Sequence, residues 1–457
     1  MVGSTPMTAP PSLPGTPQAD SPADRAMALS LADELDAALR WAAALVKSEP
    51  AGPLGLIITA RLLAAAGRRE VGIEGLELAV ARAIDIGNLP LAVAACCDLA
   101  TLGHDAAKHR DAIAKTFCKG SSQLLSTGAS PPELPHSAEA FQPLPAALSG
   151  KALVGKAQEL VHEAQKLRER ESASGPTRAK VAPQPLFSAL DRSALRAMLD
   201  VFEVKTVATG AVLINEGTPG AEAYILARGE LEVCRQGEGS ESLLLARLGS
   251  GALFGEMALL SRAPRAASVV AARPSIILVA RKDALDAVAA RQPAVGQEFA
   301  DHCRRRMVEN LVRTSNILSA VKPAARPALV DRFITRTYED GELLISQGQA
   351  SDGLHLIASG EVVVMHDDGE DRTLLAKLGV GEVVGEVALV LRRPSTANVM
   401  AACPTVTLHL PRDRFLELIK EHPAILAELY ELAVKRDEET TSVVAQEAAE
   451  ADDFVLL

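Results

Sequence analysis

Residues 209–217 read TGAVLINEG, and 131 positions later, at 340–348, the chain reads DGELLISQG. The echo continues outward. ILARGELEV at 225–233 returns as LIASGEVVV at 356–364, and LLARLGSGALFGE at 244–256 returns as LLAKLGVGEVVGE at 374–386, with the offset shortened to 130. Each copy alternates short apolar strands with glycine turns. Gly217, Gly229, Gly249 and Gly251 in the first copy, and Gly348, Gly360, Gly379 and Gly381 in the second, stand where tight strand ends need residues without a side chain. Each copy holds enough apolar strands to close its own core, so this is a duplicated domain and not a solenoid unit.

The end of the first block opens the run FGEMALLSRAPRAASV, residues 254–269. Glu256 follows Gly255, so a carboxylate able to accept from a sugar hydroxyl sits beside backbone that a ligand can approach closely. Arg265 offers the guanidinium fork best shaped to grip two phosphate oxygens. Between them Met257, Ala258, Leu259 and Leu260 are expected to form a helical turn whose free N–H groups face an anion, and Ala266 and Ala267 leave room beside the arginine. The alternative is an ordinary surface ion pair between Glu256 and Arg265, worth about 0 to 1 kcal/mol.

The run resembles the phosphate-binding cassette of cyclic-nucleotide-binding domains, as in the regulatory subunit of cyclic-AMP-dependent protein kinase and the catabolite activator family. Gly255, Glu256, Ala258, Leu259, Pro264, Arg265, Ala266 and Ala267 fall on that family's pattern. The resemblance implies that Glu256 holds the ribose 2′-hydroxyl and Arg265 the cyclic phosphate, with backbone amides near Ala258 and Ala267 assisting. Alanine at 266 leans toward cyclic AMP. It also implies two β-rolls of jelly-roll type, each followed by helices (282–319 and 412–438) that swing onto the roll when ligand binds. The run Arg304, Arg305, Arg306 in the first of these reads as a helix end or a solvated face, or else a partner contact.

In the second copy the cassette reads VGEVALVLRRPSTANV, residues 384–399. Gly385, Glu386 and Ala388 are kept, but Ser395 stands in place of the arginine and Thr396 follows it. Losing a buried guanidinium paired with phosphate costs about 2 to 5 kcal/mol, and each 1.4 kcal/mol is about tenfold in affinity. Site two is therefore a degenerate structural copy, a weak site of altered preference, or a site rescued by Arg393. RRPST resembles a kinase recognition sequence, but it lies inside the cassette, while the linker 172–185 carries only Arg178 and Lys180. That composition argues against a kinase-inhibitory segment.

Ahead of the rolls the chain is helical. PLGLIITARLLAAAG (53–67) and PLAVAACCDLATLG (90–103) look alike, as stacked helical hairpins would, and loosely resemble tetratricopeptide-type repeats in architecture only. The organisation expected is α+β multidomain: a disordered leader 1–23; a helical-repeat (solenoid-like) domain 24–122; a linker 123–185 with a helix near 151–171 and a solvated connector after it; cyclic-nucleotide-binding domains at 186–317 and 318–438; and an acidic tail 439–457. The tail reads as a disordered solubiliser, or as a docking peptide in which Phe454, Val455 and Leu456 add a strand to a partner.

With 457 residues, 48% hydrophobic but 3% aromatic, the cores must rest on Ala, Leu and Val. A net charge of −11 argues against nucleic-acid binding. The six cysteines lack C-x-x-C spacing, there is no membrane span and no secretory signal, and a cytoplasmic location is expected. No catalytic motif is found and the histidines show no metal-type spacing, so no enzyme, no metal and no cofactor beyond the cyclic nucleotide ligand are expected. The function that follows is a cyclic nucleotide receptor, cyclic AMP favoured, that regulates an unknown protein partner through the helical domain; a homo-oligomer is compatible with this reading. The competing reading is a ligand-independent scaffold. A transcription factor is disfavoured because no helix-turn-helix follows either roll.

Overall fold

The helical region starts two residues before the expected end of the leader, because Ser21 caps the first helix. Its hydroxyl accepts from the Asp24 N–H at 3.2 Å, and the Asp24 carboxylate accepts from the Ser21 N–H at 3.1 Å, a reciprocal capping box with Pro22 at the first helical position. The computed structural model describes residues 21–125, 141–173, 180–236, 242–257, 259, 264–314, 332–369 and 371–455. Most of the expected leader lies outside them, as does Ala258. Helices α1 (Pro22–Leu31), α2 (Leu35–Ser48), α3 (Pro53–Ala65), α4 (Arg69–Asp85), α5 (Leu89–Thr101) and α6 (Ala107–Phe117) follow one another with short turns. Residue 33 separates the first two, where Asp33 takes a left-handed conformation. Sequence reading runs them together.

Helices α3, α4 and α5 all end the same way. Gly67, Gly87 and Gly103 adopt positive φ, and the next residue donates back to a carbonyl five positions earlier, as in Arg68 N–H to Leu63 at 2.8 Å. This shared ending, with proline in the first turn of α3 and α5, is the physical basis of the likeness between 53–67 and 90–103.

The segment expected as a linker is in fact part of this bundle. Helix α7 (Gly150–Ala173) buries Leu153, Ala157, Leu160, Val161 and Ala164 against α2, α3 and α4. Its polar end is not a solvated connector: Arg168 pairs with Asp85, and Glu171 with the buried Arg82. Trp41 stacks on Phe141 at 6.0 Å and lies under Arg25 at 5.1 Å.

The first roll comprises β1 (Phe202–Val207), β2 (Val212–Ile214), β3 (Glu222–Arg228), β4 (Leu231–Gln236), β5 (Ser242–Leu248), β6 (Leu253–Phe254), β7 (Ser268–Ala271) and β8 (Ser275–Arg281). The second comprises β9 (Ile334–Tyr338), β10 (Leu343–Ile345), β11 (Gly353–Ser359), β12 (Val362–Asp367), β13 (Arg372–Leu378), β14 (Val383–Val384), β15 (Asn398–Ala401) and β16 (Thr405–Pro411). Each forms two antiparallel four-stranded sheets: β1-β8-β3-β6 with β2-β7-β4-β5, and β9-β16-β11-β14 with β10-β15-β12-β13. The topologies are identical, and even the bulges recur, at Leu226/Arg228 and at Ile357/Ser359. Among the described residues the paired sheets do not close into a continuous barrel.

Helix α8 (Arg192–Leu199) precedes the first roll, and α9 (Lys282–Arg291) and α10 (Pro293–Thr314) follow it; the second has α11 (Glu386–Val390) in its cassette, then α12 (Arg412–Glu421) and α13 (Pro423–Val455). The expected disordered tail is helical as far as Val455. Ile425, Leu429 and Ala433 anchor α13, and nothing after them supplies a proline or glycine to end it. A strand-forming tip therefore finds no support at Phe454 and Val455, and Leu456 lies outside the described residues.

The chain divides into two compact units. Met1–Glu216, Ala221–Gly255 and Ala267–Phe299 form one; Gly217–Gly220, Glu256–Ala266 and Ala300–Leu457 form the other. The first thus holds the helical bundle and the strands of the first roll. Asp24, 2% exposed, ties them together, because its carboxylate takes both Arg228 and Arg273 of the roll. Burial alone would raise the Asp24 pKa, but the two guanidinium groups outweigh it and hold the carboxyl below its ordinary value. In the second unit the outward face of β11 and β16 (Leu354, Leu356, Leu408, Leu410) packs on Phe415, Leu418 and Leu429 of α12 and α13.

Candidate functional site

Gly255 and Gly385 open the two cassettes with φ of 74° and 89°, the left-handed turn that lets each chain swing from strand into the phosphate segment. The next residue in each, Glu256 or Glu386, is buried, 3% and 1% exposed. A buried carboxylate needs a cation, and each has one from a helix that follows its roll in the chain. Arg306 of α10 lies 3.6 Å from Glu256, and Arg436 of α13 lies 2.6 Å from Glu386. Burial pushes both carboxyls above the ordinary glutamate value, while the arginines pull them part of the way back. Arg306 also leaves its triplet's solvated-face reading incomplete, since of its neighbours Arg304 pairs locally with Asp301 at 3.3 Å.

Sequence reading missed Arg306 and Arg436. Yet the signal was present: the two arginines are 130 positions apart, the same offset that relates Glu256 to Glu386.

Arg265 is 8% exposed. Its backbone is clamped, with the Gly217 N–H donating to its carbonyl at 2.8 Å and its own N–H donating to the Thr218 carbonyl at 2.9 Å. The side chain lies along Gly220, where a Cβ would fall 2.1 Å from Nε and 2.3 Å from Cζ. Gly220 therefore makes the channel in which the guanidinium rests. Arg265 also offsets, in small part, the upward push that burial gives the Glu256 carboxyl. Met257 is partly buried against the second unit's core, Ala266 is exposed, and Ala267 is half-buried.

Ser395 occupies the same frame as Arg265. The Gly348 N–H donates to its carbonyl at 2.8 Å, and its N–H donates to Gln349 at 2.8 Å. It is buried, and its hydroxyl has no hydrogen-bond partner. The channel has closed as well: Gly220 is replaced by Ser351, whose hydroxyl donates to the Gly353 carbonyl at 2.8 Å. Arg393, the suggested substitute, is engaged by Asp437 of α13. Ala388 is buried in α11, and the Thr396 carbonyl accepts from His366 Nδ1 at 2.9 Å.

Two paired rolls, each with a glycine-opened cassette and a buried glutamate, define a tandem ligand-binding module of the cyclic nucleotide type. The profile of the cyclic nucleotide-binding domain family matches residues 204–292 and 335–422, one match on each roll. The chain carries two cyclic nucleotide-binding domains, and across them it is homologous to the regulatory subunits of cAMP-dependent protein kinases. It is 30% identical over 223 residues to the type II regulatory subunit of Drosophila melanogaster, covering 49% of this chain and 56% of that one. It is 33% identical over 234 residues to the regulatory subunit of Yarrowia lipolytica, covering 51% and 58%. The match thus spans little more than half the length of these relatives. Among solved structures, the regulatory domain of Toxoplasma gondii PKA with cAMP aligns at 26% identity over 55% of this chain and 92% of that one, with a TM-score of 0.28. The Thermus thermophilus catabolite activator protein aligns at 31% identity over 30% and 63%, with a TM-score of 0.27. No helix among the described residues is long and apolar enough to cross a membrane.

Proposed function

We propose that the chain is a non-catalytic cyclic nucleotide receptor, with cyclic AMP as the favoured ligand, in which the first domain is the working site. The carrying observation is the buried, backbone-clamped Arg265, in the same cassette as the buried Glu256. A guanidinium and a carboxylate so arranged match the two ends of a ribose cyclic phosphate, one gripping the phosphate and the other a ribose hydroxyl. A ribose hydroxyl donating to Glu256 competes with Arg306 for the carboxylate, and α10 is then the element that moves. The second domain, lacking both the arginine and its channel, acts as a structural copy.

Homology to kinase regulatory subunits makes a kinase catalytic subunit the first partner to test, although the linker 172–185 offers only Arg178 and Lys180 as an inhibitory basic segment. The helical bundle is the docking surface in this reading. Titration calorimetry with cyclic AMP tests the receptor assignment: Arg265→Ala is expected to weaken binding at least about tenfold with the fold retained, and unchanged affinity refutes it. If no cyclic nucleotide raises the thermal stability of the native chain, where saturation at 100 times Kd should add about 2.7 kcal/mol, the scaffold reading stands instead.

A further inference from the structure

We infer that the second roll contains a site for a divalent transition-metal ion of the zinc class, formed by His355, His409 and Asp352. His355 and His409 face each other across the β11–β16 ladder, with ring centroids 4.4 Å apart, on the inward side of the sheet. Both are buried, at 0% and 1% exposed, while Asp352 at the start of β11 opens to solvent. The Nε2 atoms of both rings lie 3.4 Å from the same carboxylate oxygen, Asp352 Oδ1.

That distance is long for an N–H···O hydrogen bond, which clusters at about 2.9 to 3.0 Å. It is the separation expected of donors on a shared ion. Zinc–ligand bonds of about 2.0 to 2.1 Å in a tetrahedron put neighbouring ligand atoms about 3.3 to 3.4 Å apart. The buried His409 Nδ1 has no hydrogen-bond partner and its Nε2 meets only the distant Asp352 oxygen, an under-satisfied ring that a native core rarely tolerates. The supports that orient metal ligands are present. His355 Nδ1 meets the Thr407 hydroxyl at 3.2 Å, and Arg336 Nη1 donates to the other Asp352 oxygen at 2.9 Å.

The duplication supplies an internal comparison. In the first roll the matching positions are Ala221, Tyr224 and Val279, and Tyr224 and Val279 there are ordinary core residues. Gly353, where the first roll has Glu222, completes the set, because a Cβ at 353 would fall 2.4 Å from His409 Nε2. Three donors and the space for them thus appear together in one copy only. The helical bundle's Glu77, His104 and His109 also cluster, but there both histidines sit at ordinary hydrogen-bond distances of 3.2 and 3.0 Å from Glu77, so no ion is needed to account for them.

The test uses the full chain, freed of metal by chelator and titrated with Zn2+ by calorimetry and with Co2+ by visible absorption. The native chain is expected to bind one equivalent more than His409→Val and to show the Co2+ spectrum of a tetrahedral site, which His409→Val and His355→Tyr lose. Asp352→Asn, at the exposed edge, should weaken the same step at least about tenfold and serves if the histidine variants fail to fold. Glu77→Gln should leave the spectrum intact. Unchanged stoichiometry and spectrum in a folded His409→Val or Asp352→Asn chain, or their loss in Glu77→Gln, would overturn the assignment.

Discussion

Replacing Gly220 by alanine separates the role of Arg265 from that of the fold. Gly220 lies outside the left-handed region, so alanine carries no backbone penalty there. Its Cβ would stand 2.1 Å from Arg265 Nε, 2.3 Å from Cζ and 2.6 Å from Nη2, whereas ordinary contact begins near 3.4 Å. The guanidinium must then withdraw by at least 1.3 Å, the difference between 3.4 and 2.1 Å. It can do so because the obstructed atoms are the far end of a flexible chain, so little stability is lost. Under the proposed function, what is lost is the ion's aim at the phosphate. Complete removal of such a contact costs about 2 to 5 kcal/mol, and with about 1.4 kcal/mol per decade the displaced arginine should lower cyclic AMP affinity by at least about tenfold. Calorimetry on the native chain, Gly220→Ala, Arg265→Ala and the double variant closes a thermodynamic cycle. If Gly220 acts only through Arg265, the double variant binds no worse than Arg265→Ala alone. Native affinity in Gly220→Ala, or a further loss in the double variant, refutes the channel.

The second copy should behave reciprocally: Ser395→Arg alone is expected to leave site two inert because the Ser351 side chain fills the channel, whereas Ser395→Arg with Ser351→Gly should produce a second calorimetric binding step. Arg436→Ala strands the buried Glu386 carboxylate and should destabilise the second unit by about 3 to 5 kcal/mol, with Glu386→Gln in the same chain recovering most of it, as read by urea unfolding. Asp24→Ala leaves Arg228 buried without its partner and should cost the first unit a similar amount, about 3 to 5 kcal/mol, measured the same way. His302, buried among Arg306 and Arg305, has its pKa pushed down by that burial and those charges from 6.5 to about 4. The unfolded chain therefore takes up a proton that the folded chain refuses, and stability falls as pH drops from 6.5 toward 4, by on the order of 3 kcal/mol. His302→Asn should flatten that limb of the pH profile; an unaltered slope would remove His302 as its source.

The strands, their glycine turns and the cassette were legible because each is a local pattern, and the duplication printed it twice. Arg265 and Glu256 were legible for the same reason: they lie in one short run. What the sequence concealed was contact across long separations. The pairing of Arg306 with Glu256 joins residues 50 positions apart, and the clasp of Asp24 on Arg228 joins residues 204 apart. Neither arginine differs in local context from a solvated one. Helix α7 was found, but its docking was not, because the residues that hold Arg168 and Glu171 belong to α4. The histidine cluster was invisible for a related reason: His355 and His409 are far apart in sequence and meet only through strand register.

Comparison of the two copies also separates what the cassette needs for ligand from what it needs to fold. Copy two has Ser395 where copy one has Arg265, and Ser351 where copy one has the Gly220 that makes space for it. It has nonetheless kept the left-handed glycine, the buried glutamate and the helix arginine, and its ion pair is the shorter of the two, 2.6 against 3.6 Å. A carboxylate with 1% exposure and no ligand to receive would be costly unless the pair had structural work of its own, since an uncompensated buried charge destabilises by several kcal/mol. Arg436 supplies that work by also donating to the Val383 carbonyl at 2.6 Å, which pins α13 to the strand that leads into the cassette. In the second copy the glutamate–arginine pair is thus first a latch between roll and helix. In copy one the corresponding Glu256–Arg306 pair is the longer of the two, so under the proposed function it is the pair expected to respond to a ribose hydroxyl at Glu256.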